Sequence, residues 1–245
     1  RGNTFRMDLE GPGIYRDITL SNADQAGNGG ITYPKAKRTY TALDFFAEHP
    51  LRNGWYGRVS YTWSRNHGNT EGQTNSDIAQ ADVAKTQNWD YPEQPLHSEG
   101  PLPNDRRHQI KAYGYLELTP QWGVGANLLL SSGRPRNCTG DAPTSPVDLD
   151  PHGYNPGAFF CDGVPAPRGS RGRLPGERRR DLNVAYKPDF LQGWVARMDV
   201  FNVLNRQSTQ AIDEVYEDGS GGFSNTYGRT IAYTAPRSVR FSIAY

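Results

Sequence analysis

Residues 54–64 read GWYGRVSYTWS. Trp55, Gly57, Val59, Tyr61 and Trp63 fall on one side of a two-residue period, and Tyr56, Arg58, Ser60, Thr62 and Ser64 on the other. Period two is the signature of a strand, and this strand has one greasy face and one wet face. Five more stretches repeat the pattern. RRHQIKAYGYLEL sets Ile110, Ala112, Gly114, Leu116 and Leu118 against Gln109, Lys111, Tyr113, Tyr115 and Glu117. QWGVGANLLLS sets Trp122, Val124, Ala126, Leu128 and Leu130 against Gly123, Gly125, Asn127, Leu129 and Ser131. DLNVAYK and GWVARMDVFNV follow, with Leu182, Val184 and Tyr186, then Trp194, Ala196, Met198 and Val200. The last stretch, PRSVRFSIAY, aligns Val239, Phe241, Ile243 and Tyr245. KRTYTALDFFAEH is less regular, with Leu43 and Phe45 as its outward residues, and NTFRMDLE and GIYRDITL flank a GPG turn.

The composition sharpens this pattern. Only 35% of the 245 residues are hydrophobic, below the roughly 45–50% of ordinary soluble domains. Aromatic residues are nonetheless plentiful, with 14 Tyr and 5 Trp, and they sit inside the alternating runs. No run approaches the roughly 18 apolar residues of a spanning helix, whereas a membrane β-strand needs only about 9–11 with one apolar face. The net charge of +1 provides no general field for nucleic acid, and no nucleic-acid partner is expected. The chain starts at Arg1 with no charged-then-apolar leader before its first strand.

Connections between the strands run short, long, short, long. The short ones are EGPG, HPLRN, TPQ and PDFLQ; the long ones are residues 21–36, from Arg65 to about Asp105, from Gly133 to about Arg178, and from Asn205 to about Tyr233. Outer-membrane barrels have short periplasmic turns and longer extracellular loops. The aromatics agree, since Trp55, Trp122, Tyr186, Trp194 and Tyr245 all lie at strand ends on the short-turn side, where an interfacial girdle belongs. The expected fold is all-β, an antiparallel up-and-down transmembrane barrel.

Several segments taken in order resemble a known family: YPKAKRTYTALDF, GWYGRVSYTWS, NDRRHQIKAYGY, LLLSSGRP, RGSRGRLPGERRRDLNVAY, RMDVFNVLN and the terminal FSIAY. Together they are similar to the C-terminal half of the barrel of TonB-dependent outer-membrane receptors. The resemblance is greatest to the Oar-like subgroup, which carries a carboxypeptidase-regulatory-like domain. It implies a barrel of about 22 strands closed around a plug. Residues 1–245 would supply its last eight or nine strands, without the plug or the TonB box. It also implies TonB and the barrel-assembly machinery as partners of the full-length protein, and an assembly signal in Val239, Phe241, Ile243 and Tyr245. The expected function is uptake of a large, unidentified ligand or surface adhesion. A small complete barrel with adhesin or enzyme function, and a soluble β-sandwich binding module, are the alternatives.

Chemical constellations are sparse, and no cofactor, metal or catalytic residue is assigned. Asp105 and His108 in NDRRHQ have the residue types of a base and its orienter, but nothing nominates a nucleophile beside them. Asp141, Asp148 and Asp150 in GDAPTSPVDLD offer hard-cation oxygens without EF-hand spacing, and a solvated acidic loop is the favoured reading. Cys138 and Cys161 share one polar, Gly- and Pro-rich segment, which fits a loop disulfide in an oxidising compartment better than free thiols. Arg168, Arg171, Arg173, Arg178, Arg179 and Arg180 form a basic run without interleaved aromatics. At a barrel rim it suits lipopolysaccharide phosphates or an anionic substrate, the alternative being an internal charge network. The glycines of GVGAN are expected to relieve crowding in the lumen. Arg58, Lys111, Glu117, Asp181, Lys187, Arg197, Asp199 and Arg240 would give that lumen a mixed-charge wall.

Overall fold

A computed structural model of the chain describes residues 3–8, 15–20, 34–72, 74, 76, 94–143, 158–217 and 222–245. β1 (Asn3–Asp8) and β2 (Tyr15–Leu20) form a hairpin of their own, with Asn3 opposite Leu20 and Asp8 opposite Tyr15. The expected GPG turn lies outside the described residues. The other elements are β3 (Arg38–Arg52), β4 (Trp55–Gly68), β5 (Gly100–Pro101), β6 (His108–Glu117), β7 (Trp122–Ser131), β8 (Phe160–Cys161), β9 (Val164–Pro165), β10 (Glu177–Tyr186), β11 (Val195–Phe201), β12 (Thr209–Ile212), β13 (Thr230–Tyr233) and β14 (Ser238–Ala244).

The long strands make one antiparallel sheet in the order β3, β4, β6, β7, β10, β11, β14, with β5 added at the end of β4. Each lies beside the next long strand in the chain, which is the up-and-down topology that the alternating connections predict. β8 pairs with β9, and β12 with β13, as separate ribbons inside the long connections. These short strands were not foreseen, because runs of two to four residues carry no readable period.

The register assembles the sequence alternation into rows. Trp55, Leu116, Val124, Val184, Met198 and Phe241 are successive partners across six strands. Toward the short turns, Trp122, Tyr186, Ala196 and Ile243 form the next row. Toward the long connections the same face carries Gly57, Gly114, Ala126, Leu182, Val200 and Val239. Above these come Val59, Ala112, Leu128 and Arg180, then Phe45, Tyr61, Ile110, Leu130 and Arg178. This face stays open: Phe241 is 76% exposed, and Leu43, Phe45, Val59 and Ile243 are all exposed. An apolar surface spanning seven strands exceeds the few hundred Å² that a soluble monomer tolerates, and a lipid phase removes the cost.

The opposite face holds rows such as Asp44, Thr62, Gln109, Ser131 and Glu177. Gly123 and Gly125 point to this side, where a Cβ would meet the Tyr115 hydroxyl at 2.0 Å or the Asn183 amide at 2.5 Å. The GVGAN glycines therefore make room for larger polar neighbours.

One turn differs from its sequence reading. HPLRN is read as a connection, but β3 continues to Arg52 and the chain reverses at Asn53 and Gly54. Their φ values of 54° and 79° are the left-handed pair of a two-residue hairpin. Pro50, which has no N–H for the ladder, falls within the register shift between His49 and Arg52.

Candidate functional site

The described residues of the three long connections, which lie between 69 and 107, 132 and 176, and 202 and 237, follow the same end of the sheet and bind one another. Their anchor is Asp105, only 1% exposed. One carboxylate oxygen accepts the Asn66 N–H at 2.7 Å, and the other accepts the Arg107 guanidinium at 3.2 Å and that of Arg173. Burial alone would push this carboxyl up; the Asn66 N–H and the Arg173 and Arg107 guanidiniums outweigh it and hold the group below the usual carboxylate range. Arg173 also donates to the Asp105 and Gly133 carbonyls, so one side chain ties the second long connection to the first.

A second knot surrounds the cysteines. Cys138 and Cys161 are joined as a disulfide across a sequence separation of 23. The flanking Thr139 N–H donates to the Glu214 carbonyl at 2.9 Å, and the Tyr216 N–H returns a bond to Thr139 at 2.7 Å. The Glu214 carboxylate, 1% exposed, accepts Asn137 Nδ2 at 3.1 Å and pairs with Arg134 at 3.2 Å. Ala142, Ala158 and Phe160 form a small apolar cluster beside it. Glu217 accepts the Asp141 N–H at 3.2 Å; burial there raises its carboxyl against the opposing pull of that and neighbouring N–H groups. Tyr216 stacks edge-on against Phe223 and Tyr227, leaving Phe223 exposed on the loop surface.

The basic run is divided by this framework. Arg168 is 3% exposed, donates to the Ser98 carbonyl at 2.7 Å and lies 4.4 Å over the Phe159 ring. Arg173 is committed to Asp105, and Arg179 faces inward and pairs with Asp181 at 3.3 Å. Arg171 is exposed, its N–H donating to Arg136 at 3.2 Å. Only Arg178 and Arg180 stand on the apolar outward face, in the rows of Leu130 and Leu128. An arginine on that face costs about 2–4 kcal/mol at the bilayer midplane and about 0–1 near the headgroups. The single cluster that the sequence presents is thus three internal ties, one loop residue and one outward pair.

Other sequence candidates separate in the same way. Asp105 and His108 do not meet: His108 lies on the outward face, its Nδ1 2.8 Å from the Tyr61 hydroxyl. Asp148 and Asp150 lie outside the described residues, and among the described residues no group of three or more His, Cys, Asp or Glu side chains is placed to hold a metal. The aromatic residues at the short-turn end come together in pairs, Trp122 with Tyr186 at 4.5 Å, Trp194 with Tyr245 at 5.2 Å, and Trp55 stacked on His49 at 3.5 Å. On the inward wall, Arg240 pairs with Asp199 at 2.9 Å and Arg58 with Glu48 at 3.3 Å, the mixed-charge pattern expected of it. Glu214 and Asn202 were not singled out from the sequence. Asn202, left-handed at φ 49°, takes Asp181 through its N–H and donates its side-chain amide to the Arg206 and Ala235 carbonyls. Its signal is the Phe-Asn-Val-Leu-Asn run, in which two asparagines suit left-handed turns.

Residues 11–130 match the family described as outer membrane beta barrel domain. The TonB-dependent transporter Oar of Myxococcus xanthus is 26% identical over 94% of this chain, which spans 26% of that protein. Among solved structures, the outer membrane transporter YddB from Escherichia coli is similar with a TM-score of 0.53 and 13% identity, over 85% of this chain and 25% of that one. The ferric-catecholate import receptor Fiu from Escherichia coli K12 aligns with a TM-score of 0.50 and 13% identity, over 94% of this chain and 24% of that one. The chain thus spans about a quarter of each relative's length, and the two structural likenesses concern the fold. The outward apolar rows, the up-and-down order and these matches converge on an antiparallel β-barrel wall of the outer membrane, with homology to the TonB-dependent transporter Oar along 94% of the chain.

Proposed function

We propose that residues 1–245 are the C-terminal part of the barrel of a TonB-dependent receptor that takes up a large, scarce ligand across the outer membrane. Homology to Oar along 94% of the chain carries this reading, joined to a sheet with an apolar outward face and a mixed-charge inward wall. A wall of both signs suits contact with a polar plug better than a single-ion filter. The long connections, with the Cys138–Cys161 staple and the exposed Phe223, would face the cell exterior and meet the ligand. The short turns would face the periplasm, where TonB engages the full-length protein. Val239, Phe241, Ile243 and Tyr245 would serve as the segment that the barrel-assembly machinery recognises.

The test compares three strains of the native host: one without the gene, one without TonB function, and one lacking both. Uptake predicts that the first two share a nutrient-limited growth defect and that the double strain is no worse. A defect in surface attachment that persists unchanged when TonB is intact would replace uptake with adhesion.

A further inference from the structure

The third long connection holds an aromatic trio that stands apart from the ties binding the loops together. Tyr216 meets Phe223 at 5.0 Å with the rings at 75°, and Tyr227 at 5.2 Å with the rings at 77°. One ring therefore stands nearly perpendicular to two others, and each pair makes a corner of two ring faces. Phe223 is 62% exposed and Tyr216 and Tyr227 are half-buried, so the trio opens to the loop surface.

The turn that carries the rings is fixed by its own hydrogen bonds, with Asp213 as the hub. The Asp213 carboxylate accepts the Val215 N–H at 3.0 Å and the Thr226 hydroxyl at 2.5 Å. Its N–H donates to the Arg229 carbonyl at 2.9 Å, and its carbonyl accepts the Gly228 N–H at 2.8 Å. The Ser224 N–H donates to the Tyr216 carbonyl at 2.7 Å, and Phe223 forms a β-bridge with Glu217. Gly228, at a φ of 77°, lets the chain reverse just after Tyr227. Rings held in this way have little freedom left to lose when a ligand binds.

The charges around the trio select the ligand. Residues 211–229 contain four acids, Asp213, Glu214, Glu217 and Asp218, against one cation, Arg229. Glu214 is paired with Arg134, whereas Asp213 and Glu217 are held by neutral donors among the described residues. Elsewhere the chain covers ring faces with its own arginines: Arg168 over Phe159, Arg58 over Phe46 and Arg240 over Phe201. Among the described residues no such cation lies over Tyr216, Phe223 or Tyr227. Bare ring faces and an excess of carboxylate both attract a cation from outside. A primary ammonium is strongly hydrated, so leaving water for the rings costs it more than it costs a methylated ammonium, which also offers C–H groups to the ring faces.

We infer that Tyr216, Phe223 and Tyr227 form a binding site for a methylated ammonium group carried by a soluble ligand. The site rests on the long connections facing outward, and it adds a chemical class to the ligand proposed above.

The test uses the full-length protein purified in a maltoside detergent, with choline as the probe and dimethylbutanol, which has the same shape without the charge, as the control. Titrations followed by saturation-transfer NMR are expected to show saturable choline binding to wild type and binding of the neutral isostere about three- to fivefold weaker. Phe223→Leu keeps apolar bulk but removes the ring face, and lowers choline affinity about three- to fivefold. Phe223→Trp retains at least wild-type affinity. Asp213→Asn keeps an acceptor for the Val215 N–H and the Thr226 hydroxyl while removing the charge, and gives a smaller loss. Heat-modifiable mobility of every variant checks folding. Equal binding of choline and dimethylbutanol would overturn the site, as would wild-type choline affinity in folded Phe223→Leu or the absence of a saturable choline signal. The titration needs neither TonB nor uptake, so its failure leaves the transport reading standing. Labelling of a cysteine introduced at Phe223 (Phe223→Cys) by an impermeant maleimide on intact cells tests the orientation separately.

Discussion

The sheet and the loop layer are built on opposite rules. In the sheet the large apolar side chains point out and stay exposed, as Phe45, Leu182, Met198 and Phe241 do, while the buried residues are small or polar, such as Ala185, Asp181 and Asp199. In the loop layer the interior holds charged groups on matched partners: Asp105 with Arg173 and Arg107, and Glu214 with Arg134 and Asn137. A lipid solvent makes the first arrangement stable, because burial there is provided by acyl chains. Water leaves the loop layer to close on its own hydrogen bonds, a disulfide and a few apolar contacts. The two regions should therefore fail differently.

The largest effect should come from the sheet. Phe241→Ser combined with Tyr245→Ser places hydroxyls on the outward face and removes the ring paired with Trp194, and the variant should fail to reach the folded, heat-modifiable form in membranes. Normal heat-modifiable mobility of that variant would remove the assembly role. Damage to the loop layer should leave the sheet in place. Replacing Cys138 and Cys161 with Ser releases a 23-residue separation and should cost the loops about 3 kcal/mol, seen as rapid proteolysis between residues 132 and 176 with the barrel still heat-modifiable.

A smaller loss is expected at Asp105. Asp105→Asn keeps the shape but removes the charge facing Arg107 and Arg173, and about 2 kcal/mol of local protection should vanish, read from hydrogen exchange at the Asn66 amide. The same amide reports pH. Because the folded carboxyl is held below its ordinary value, its contribution is complete above the unfolded pKa of about 3.9 and is lost as pH falls through the lower folded value. Protection at Asn66 should thus be flat from neutrality to about pH 5 and decline below about pH 4 in wild type. Asp105→Asn should show no such decline. At the small end, Phe223→Ala on the exposed loop surface should change stability by less than about 0.5 kcal/mol. Altered ligand-dependent growth with that stability would mark Phe223 as a contact.

The two regions also differ in how much of them the sequence discloses. Each outward row of the sheet is the sum of alternations visible within single strands, and a side-chain period of two leaves no freedom in which face is greasy once one strand is read. That is why Val59, Leu116, Val184 and Val239 fall on one surface as their spacing predicts. Even the misread HPLRN turn left a usable sign, the Asn53–Gly54 dipeptide just beyond it. The loop layer has no such code. Asp105 meets Arg173 across 68 residues and Asn137 meets Glu214 across 77, and neither pair is marked by spacing or by type. The basic run shows the same limit: six arginines look equivalent in the sequence, and only the sheet register separates the outward Arg178 and Arg180 from Arg179 between them.

That Arg197 and Met198 sit on opposite faces of one strand offers the sharpest examination of the fold. In the full-length protein in native lipid, a fluorophore on Met198→Cys should be quenched by brominated acyl chains and spared by a water-soluble quencher, and one on Arg197→Cys should show the reverse. Equal quenching of both positions by the water-soluble agent would contradict a lipid-facing sheet, and with it the reading of this chain as a membrane barrel wall.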